Sequence, residues 1–326
     1  KVSSYPGLNS KFAMPSPFLL ILLPVILSSV WACPPEESIA PTCICRDLGD
    51  GAMMICSNIT SAEELIPYIK ATDSLDMFAL TIMESSLLYI PSGVFKNTKY
   101  QKIRFLNTQL MSLSDGYLAF EGLEDRLEEL RATGAHYITQ WDWSQLRNHR
   151  RLNLIDINLI EMHALEQEFP PLESLNMLGI SEAAVSFIHP KAFAGLANLK
   201  ILHLRDNLID KMSRSMLPNV AKELAIIDLS GNLLSSLPED MFHRMPNLMQ
   251  VELNHNKFVT LNEETFSWSF QHLQTLMFIG NEFRCDCRMK WIVNIKKPLY
   301  FEGTCTMPED LNGVSLTYLT DKSLWC

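Results

Sequence analysis

The chain has 326 residues, 47% of them hydrophobic and 20% charged, with 13 glycines and 17 prolines. That balance excludes disorder and collagen-like arrays, and the length suits one large domain or two ordinary ones. The formal net charge of −10 sets an acidic surface against a phosphate backbone, which excludes nucleic acid as the main partner.

The chain opens on Lys1, and Met14 is the first methionine, so residues 1–13 read as an upstream segment outside the mature protein. The apolar run from Phe18 to Leu27 has the length of a signal-peptide core, against the ~20 residues of a membrane span. Pro24 in mid-run and the exit Val30-Trp31-Ala32 favour cleavage over a short membrane anchor. Residues 14–32 are therefore expected to be a signal peptide, and the mature product to be secreted from about Cys33.

Eight cysteines fall in two clusters, Cys33, Cys43, Cys45, Cys56 and Cys285, Cys287, Cys305, Cys326. An even count in an oxidising compartment reads as disulfides. A bridge across one intervening residue is badly strained, which removes 43–45 and 285–287 and leaves two connectivities per cluster. Zinc is the competing reading, but Cys-x-Cys is poor zinc spacing and a signal peptide points away from it. The first cluster marks an N-terminal cap over 33–74, with an edge strand near Ala52 to Cys56. Asn58-Ile59-Thr60 is a glycosylation sequon in this cap.

Residues 75–284 carry a repeat. "LKILHLRDNLIDKM" (199–212), "LAIIDLSGNLLSSL" (224–237) and "LMQVELNHNKFVTL" (248–261) place apolar residues at offsets 0, 3, 5, 10 and 13 and Asn at offset 8. "LQTLMFIGNEF" (273–283) repeats the first part, and these starts are 25, 24 and 25 residues apart. Upstream, starts at Leu75, Tyr100, Leu127, Leu152 and Leu172 keep the 0, 3, 5 core, but the Asn slot holds other residues, such as Thr108, Ala135 and Ile160. Nine coils follow, at a period typical of leucine-rich repeats. Offsets 3 and 5 face one side of a short strand, and offsets 2, 4 and 6 the other. The fold expected is an α/β solenoid with a curved parallel sheet on its concave face. The leucines lie inside, an asparagine ladder runs along the turns, and Leu118, Leu217, Phe242 and Phe266 fill the far side of the coils. No coil buries its core alone, so both ends need covers.

Residues 285–326 supply the C-terminal cover. "CDCRMKWIVNI" reads as a short helix whose face of Trp291, Ile292 and Ile295 packs over the last coil. Nine strands at ~4.8 Å put the two clusters ~40 Å apart, too far to cross-pair.

These residues resemble a known family. Cys33-x9-Cys43-x-Cys45-x10-Cys56 is similar to the N-terminal cap of extracellular leucine-rich-repeat proteins. Asn281-x3-Cys285-Asp286-Cys287-x3-Trp291, with Cys305 and Cys326, is similar to their C-terminal cap. The resemblance covers Cys33 to Cys326 and implies interlaced bridges, Cys33–Cys45 with Cys43–Cys56 and Cys285–Cys305 with Cys287–Cys326, which is also the connectivity preferred here. A narrower likeness, in "CPPEESIAPTCIC" and "CSNITSAEELIPYI", is to arthropod secreted proteins related to the non-catalytic leucine-rich-repeat subunit of decapod shrimp luciferase. It implies a secreted, non-catalytic chain.

No zinc helix, nucleophile elbow or phosphate loop occurs, and the histidines make no close ligand pair, so no enzyme, cofactor or metal is expected. "WDWSQL" (141–146) reads as convex-side packing of Trp141 and Trp143 rather than a sugar-stacking site. What remains is the outward face of the strands. Its central column, read from the repeat, runs Ala79, Arg104, Arg131, Asp156, Asn176, His203, Asp228, Glu252, Met277. The flanking columns run from Met77 to Thr275 and from Thr81 to Ile279, and include Ser174, Leu178 and Arg205. Mixed charge and exposed apolar residues such as Ile201, Ile226 and Ile279 suit a protein ligand, with a glycan or lipid as the lesser alternatives. Arg104, Arg131, Asp156, Asn176, His203, Arg205, Asp228 and Glu252 are the candidate contacts. The expected role is protein recognition outside the cell. The alternatives are a stabilising subunit of a secreted enzyme, or the ectodomain of a receptor whose anchor lies beyond the sequence.

Overall fold

The computed structural model describes residues 33–49, 51–135 and 141–326. The expected upstream segment and signal peptide lie outside these residues.

Twelve strands form one curved sheet in chain order: β1 (Cys43–Asp47), β2 (Ala52–Ser57), β3 (Met77–Met83), β4 (Lys102–Leu106), β5 (Glu129–Ala135), β6 (Leu154–Ile160), β7 (Met177–Ser181), β8 (Ile201–His203), β9 (Ile226–Asp228), β10 (Gln250–Glu252), β11 (Thr275–Met277) and β12 (Tyr300–Glu302). β1 and β2 pair antiparallel, with Cys43 opposite Cys56. From β2 onward every neighbour is parallel, one strand per coil. Strands stack ~4.8 Å apart, whereas helices are ~10 Å wide. The return sides of the coils carry α1 (Ala62–Lys70), α2 (Glu263–His272) and short 3-10 turns, so that side is the longer and the sheet takes the inner curve.

The interior follows the repeat. Leu202, Leu204, Ile227, Leu229, Val251, Leu253, Leu276 and Phe278 are all buried under the sheet. Each such side chain contributes ~1.5–3 kcal/mol by leaving water. An aromatic spine lines the return side, with Trp143 stacked on Phe169 at 4.5 Å and Phe169 meeting Phe193 at 5.9 Å. Trp141 donates its indole N–H to the Leu110 carbonyl at 2.9 Å, so both tryptophans of "WDWSQL" pack structurally. Of the four residues expected to fill the far side, Leu217, Phe242 and Phe266 are buried. Leu118 is only half-buried, and Ala119 and Phe120 take its place.

Asparagines terminate the strands. Asn207, Asn232, Asn256 and Asn281 are buried, and each bonds both to its own turn and to the preceding coil. The Asn232 amide donates to the Leu204 carbonyl at 2.8 Å and its oxygen accepts from Ile209 N at 3.1 Å. The slots that lack Asn solve the same problem in two ways. The Thr108 hydroxyl donates to Ile82 O and accepts from Ser85 N, and Ser85 accepts from Ile59 N. Ala135 and Ile160 have no polar atom to offer, and there β5 and β6 stay paired through the slot as seven-residue strands. The asparagine coils turn after three-residue strands. A backbone ladder thus replaces the side-chain ladder there.

Two coils start elsewhere than the repeat suggests. The first begins at Met77, not Leu75, because Leu80 and Ile82 point inward while Phe78 stays half-exposed. The fifth begins at Leu175, not Leu172, with Leu178 and Ile180 inward. In both places apolar residues lie close enough to satisfy the 0, 3, 5 template in a false frame.

Disulfides close both ends. Cys33 bonds Cys45 and Cys43 bonds Cys56, with Cα separations of 5.7 and 4.1 Å. Cys285 bonds Cys305 and Cys287 bonds Cys326, with Cα separations of 5.7 and 5.1 Å. In the C-terminal cap α3 (Trp291–Asn294) buries Ile292, and Trp291 donates its indole N–H to Leu261 O at 2.9 Å while its ring meets Phe270. Phe301 points inward from β12, so the cap continues the sheet by one strand.

Candidate functional site

The strand register builds the concave face column by column. The first outward column runs Ala79, Lys102, Glu129, Leu154, Met177, Ile201, Ile226, Gln250, Thr275, Tyr300. The central column runs Thr81, Arg104, Arg131, Asp156, Gly179, His203, Asp228, Glu252, Met277, Glu302. Arg104, Arg131, Asp156, His203, Asp228 and Glu252 therefore stand in line, as the repeat suggests. Arg205 is exposed two residues beyond His203.

Asn176 does not belong to the column. The fifth coil starts at Leu175, so Asn176 precedes β7 and is half-buried, its amide donating to Ser174 O at 3.1 Å. It lines an open polar hollow at the leading edge of the sheet with Glu128, Arg151, Asn153, Asn198 and Lys200. Ser174 leaves the first column for the same reason, and Leu178 turns from outward to fully buried. Gly179 takes the central place. A Cβ there would meet Asp156 Oδ1 at 2.9 Å, so the missing side chain leaves room for that carboxylate. Ala79 and Thr81 each move one column from their expected places, through the shifted first coil.

The basic part of the face is tied up internally. Glu129, buried on β5, accepts from Arg104 Nε at 2.8 Å and pairs with Arg104, Arg131 and Lys102 at 2.7, 3.0 and 3.4 Å. Arg131 reaches on to Asp156 at 3.2 Å. Burial alone would raise the Glu129 carboxyl, but the Arg104 hydrogen bond and the three surrounding cations together hold it below the ordinary value. Lys102 also lies 4.7 Å over the Phe78 ring.

The later coils differ. Asp228 is buried and caps its own turn, accepting from Ser230 N at 3.0 Å. Glu252 accepts from Gln250 at 2.6 Å. Among the described residues no Lys, Arg or His nitrogen lies within ion-pair distance of Asp228, Glu252 or Glu302. Tyr300 and Glu302 escaped the sequence reading because they sit in the cap. The alternation of exposed Tyr300, buried Phe301 and exposed Glu302 is the signal that identifies them. Asn58 is exposed just past β2 with a left-handed φ of 57°, and Thr60 of its sequon is exposed too. Among the described residues no group of His, Cys, Asp and Glu is arranged to hold a metal.

Residues 222–283 match the family model described as Leucine rich repeat. The chain carries leucine-rich repeats and has their solenoid fold. Its curated relatives include mouse Toll-like receptor 9, 27% identical over half of this chain and 16% of that protein. Lumican of Coturnix japonica is 25% identical over 63% of this chain and 56% of that protein. Human oligodendrocyte-myelin glycoprotein is 24% identical over 68% and 54%. The leucine-rich-repeat chain thus spans little more than half the length of these relatives, or less. Among solved structures, human 5T4 matches with a TM-score of 0.54 at 17% identity, over 88% of this chain and 99% of that one. A chain of the octameric complex of Latrophilin 3, Unc5D and FLRT2 matches with a TM-score of 0.58 at 17% identity, over 89% and 95%. Those similarities carry the fold. The comparisons place this leucine-rich-repeat protein with non-catalytic repeat proteins, and none of those named here carries the narrower likeness to a luciferase subunit.

Proposed function

We propose that the chain is an extracellular recognition module that binds a protein through the concave face of its sheet. One observation carries this reading: a continuous outward face, from Lys102 to Glu302, on a frame closed by disulfides at both ends. A parallel sheet on a stacked core moves little, so a partner loses entropy without a matching loss from the receptor side. Four disulfides belong to an oxidising compartment, and a leader at 14–32 with a glycan on Asn58 fits that setting. The similar chain from the Latrophilin 3, Unc5D and FLRT2 structure is described within a complex of proteins, which supports a protein partner. A further neighbour is described in complex with single-stranded RNA, but the −10 charge of this chain opposes that ligand.

The test is partner capture from native extracellular fluid, comparing the wild type with a folded variant carrying reversed charges at Asp156, Arg205, Asp228 and Glu252. A partner held by the wild type and lost by the variant is the expected result. If every partner survives the reversal, the binding site is not this face.

A further inference from the structure

The two halves of the concave face do not offer the same chemistry. In coils two to four, Lys102, Arg104 and Arg131 are already paired with Glu129 and Asp156, so a ligand would have to break those ion pairs to use them. From coil seven into the cap the face sets apolar side chains among polar ones, with Tyr300 60% and Ile279 41% exposed beside half-buried Ile226 and Met277. The charges among them are exposed Glu302, half-buried Glu252 and largely buried Asp228, which no described cation pairs. Arg205 and His203 lie at the near margin, one coil earlier.

We propose that this half docks an extended, basic and apolar protein segment, with two lysine or arginine residues four positions apart around a central apolar side chain. The proposal rests on the concave-face reading above and adds the partner's chemistry. Its reasoning is geometric. Strands succeed one another every ~4.8 Å, so the central column sets Asp228 and Glu252 one step apart, Met277 ~5 Å further on and Glu302 a further ~5 Å. A segment extended across the strands presents same-side residues every ~6.6 Å. One cation between Asp228 and Glu252 then brings the next same-side residue over Met277 and the one after it over Glu302. Ile226 and Tyr300 flank that line with apolar surface. An acidic segment would meet three unneutralised carboxylates, so the face discriminates by repulsion as well as by attraction.

The experiment is a fluorescence-anisotropy titration of the intact, disulfide-bonded chain with a labelled peptide. The peptide carries lysines four apart around a central isoleucine, with threonines between them, and a second peptide carries glutamates in place of the lysines. The lysine peptide is expected to bind saturably and the glutamate peptide not to. Glu252→Lys with Glu302→Lys is expected to weaken binding at least about tenfold, and Glu302→Gln alone severalfold with no buried group touched. Lys191→Glu, exposed on the return side of its coil, is expected to leave the affinity within about twofold. No saturable binding by the wild type, equal binding of both peptides, or indifference to Glu302→Gln and to the double reversal each overturns the proposal. If native-fluid capture still depends on the concave face while the peptide fails, only the partner chemistry is wrong. If capture ignores the face as well, the wider reading falls with it.

Discussion

Replacing Asn232 by alanine tests the physical basis of the solenoid directly. The side chain is 3% exposed and joins two coils through Leu204 O at 2.8 Å and Ile209 N at 3.1 Å. Leu204 O keeps a second donor in the Asn207 amide at 3.1 Å, so removing the Asn232 side chain strands the Ile209 N–H. An orphaned buried donor costs ~1–3 kcal/mol, which puts the variant roughly 2 kcal/mol below the wild type. That is a large share of the ~5–15 kcal/mol that holds a domain together. The loss should also be local, because each coil leans on its neighbours. Urea unfolding followed by far-ultraviolet circular dichroism should show a lower midpoint and a broadened transition, as the later coils uncouple from the earlier ones. Hydrogen exchange should accelerate first at Ile209 and its neighbours. Threonine at 232 should restore part of the loss, since Thr108 already bridges coils with a hydroxyl. A midpoint shift worth less than about 1 kcal/mol for alanine would refute the ladder as a stabilising element.

Three further outcomes are expected. Replacing Cys43 and Cys56 together by serine should lower stability by ~2–4 kcal/mol, read as a lower urea midpoint, because their bridge pins the edge strand to β2. The Glu129 carboxyl is held below its ordinary value, so its contribution is complete above about pH 4.5 and fades as pH falls through the lower folded value. Melting temperatures of Glu129→Gln should therefore lie below wild type at neutral pH and converge on it in acid. His149 is buried, with Nε2 2.8 Å from Ala119 O and no partner on Nδ1, and burial pushes its pKa down. Its neutral form is favoured by the fold, so stability is full above about pH 6.5 and declines below it. A His149→Gln chain should lose less between pH 7 and 5 than the wild type, as measured by thermal melts.

How far the sequence reaches is clearest at particular residues. The later coils are legible because Asn207, Asn232, Asn256 and Asn281 mark the turn and leave one frame for the leucines around them. Where that marker is missing the frame slips. Leu75, Phe78 and Leu80 mimic the true set Met77, Leu80 and Ile82, and Leu172, Leu175 and Met177 mimic Leu175, Leu178 and Ile180. A strand alternates its faces every residue, so an odd slip of three turned Leu178 outward on paper and carried Asn176 into a column it never joins.

The amino-acid order alone therefore determined the coil, its period, the sulfur-closed ends and most of the exposed column, because these rest on spacing along one chain. Only the tertiary structure decided the frames of the first and fifth coils, the strand β12 inside the cap and the knot of Lys102, Arg104, Glu129, Arg131 and Asp156. The contacts that join that knot from coil to coil link residues about a full repeat apart. Hydrogen bonding between successive strands brings them within 3–4 Å of one another, and no local pattern records a meeting that depends on how neighbouring coils align.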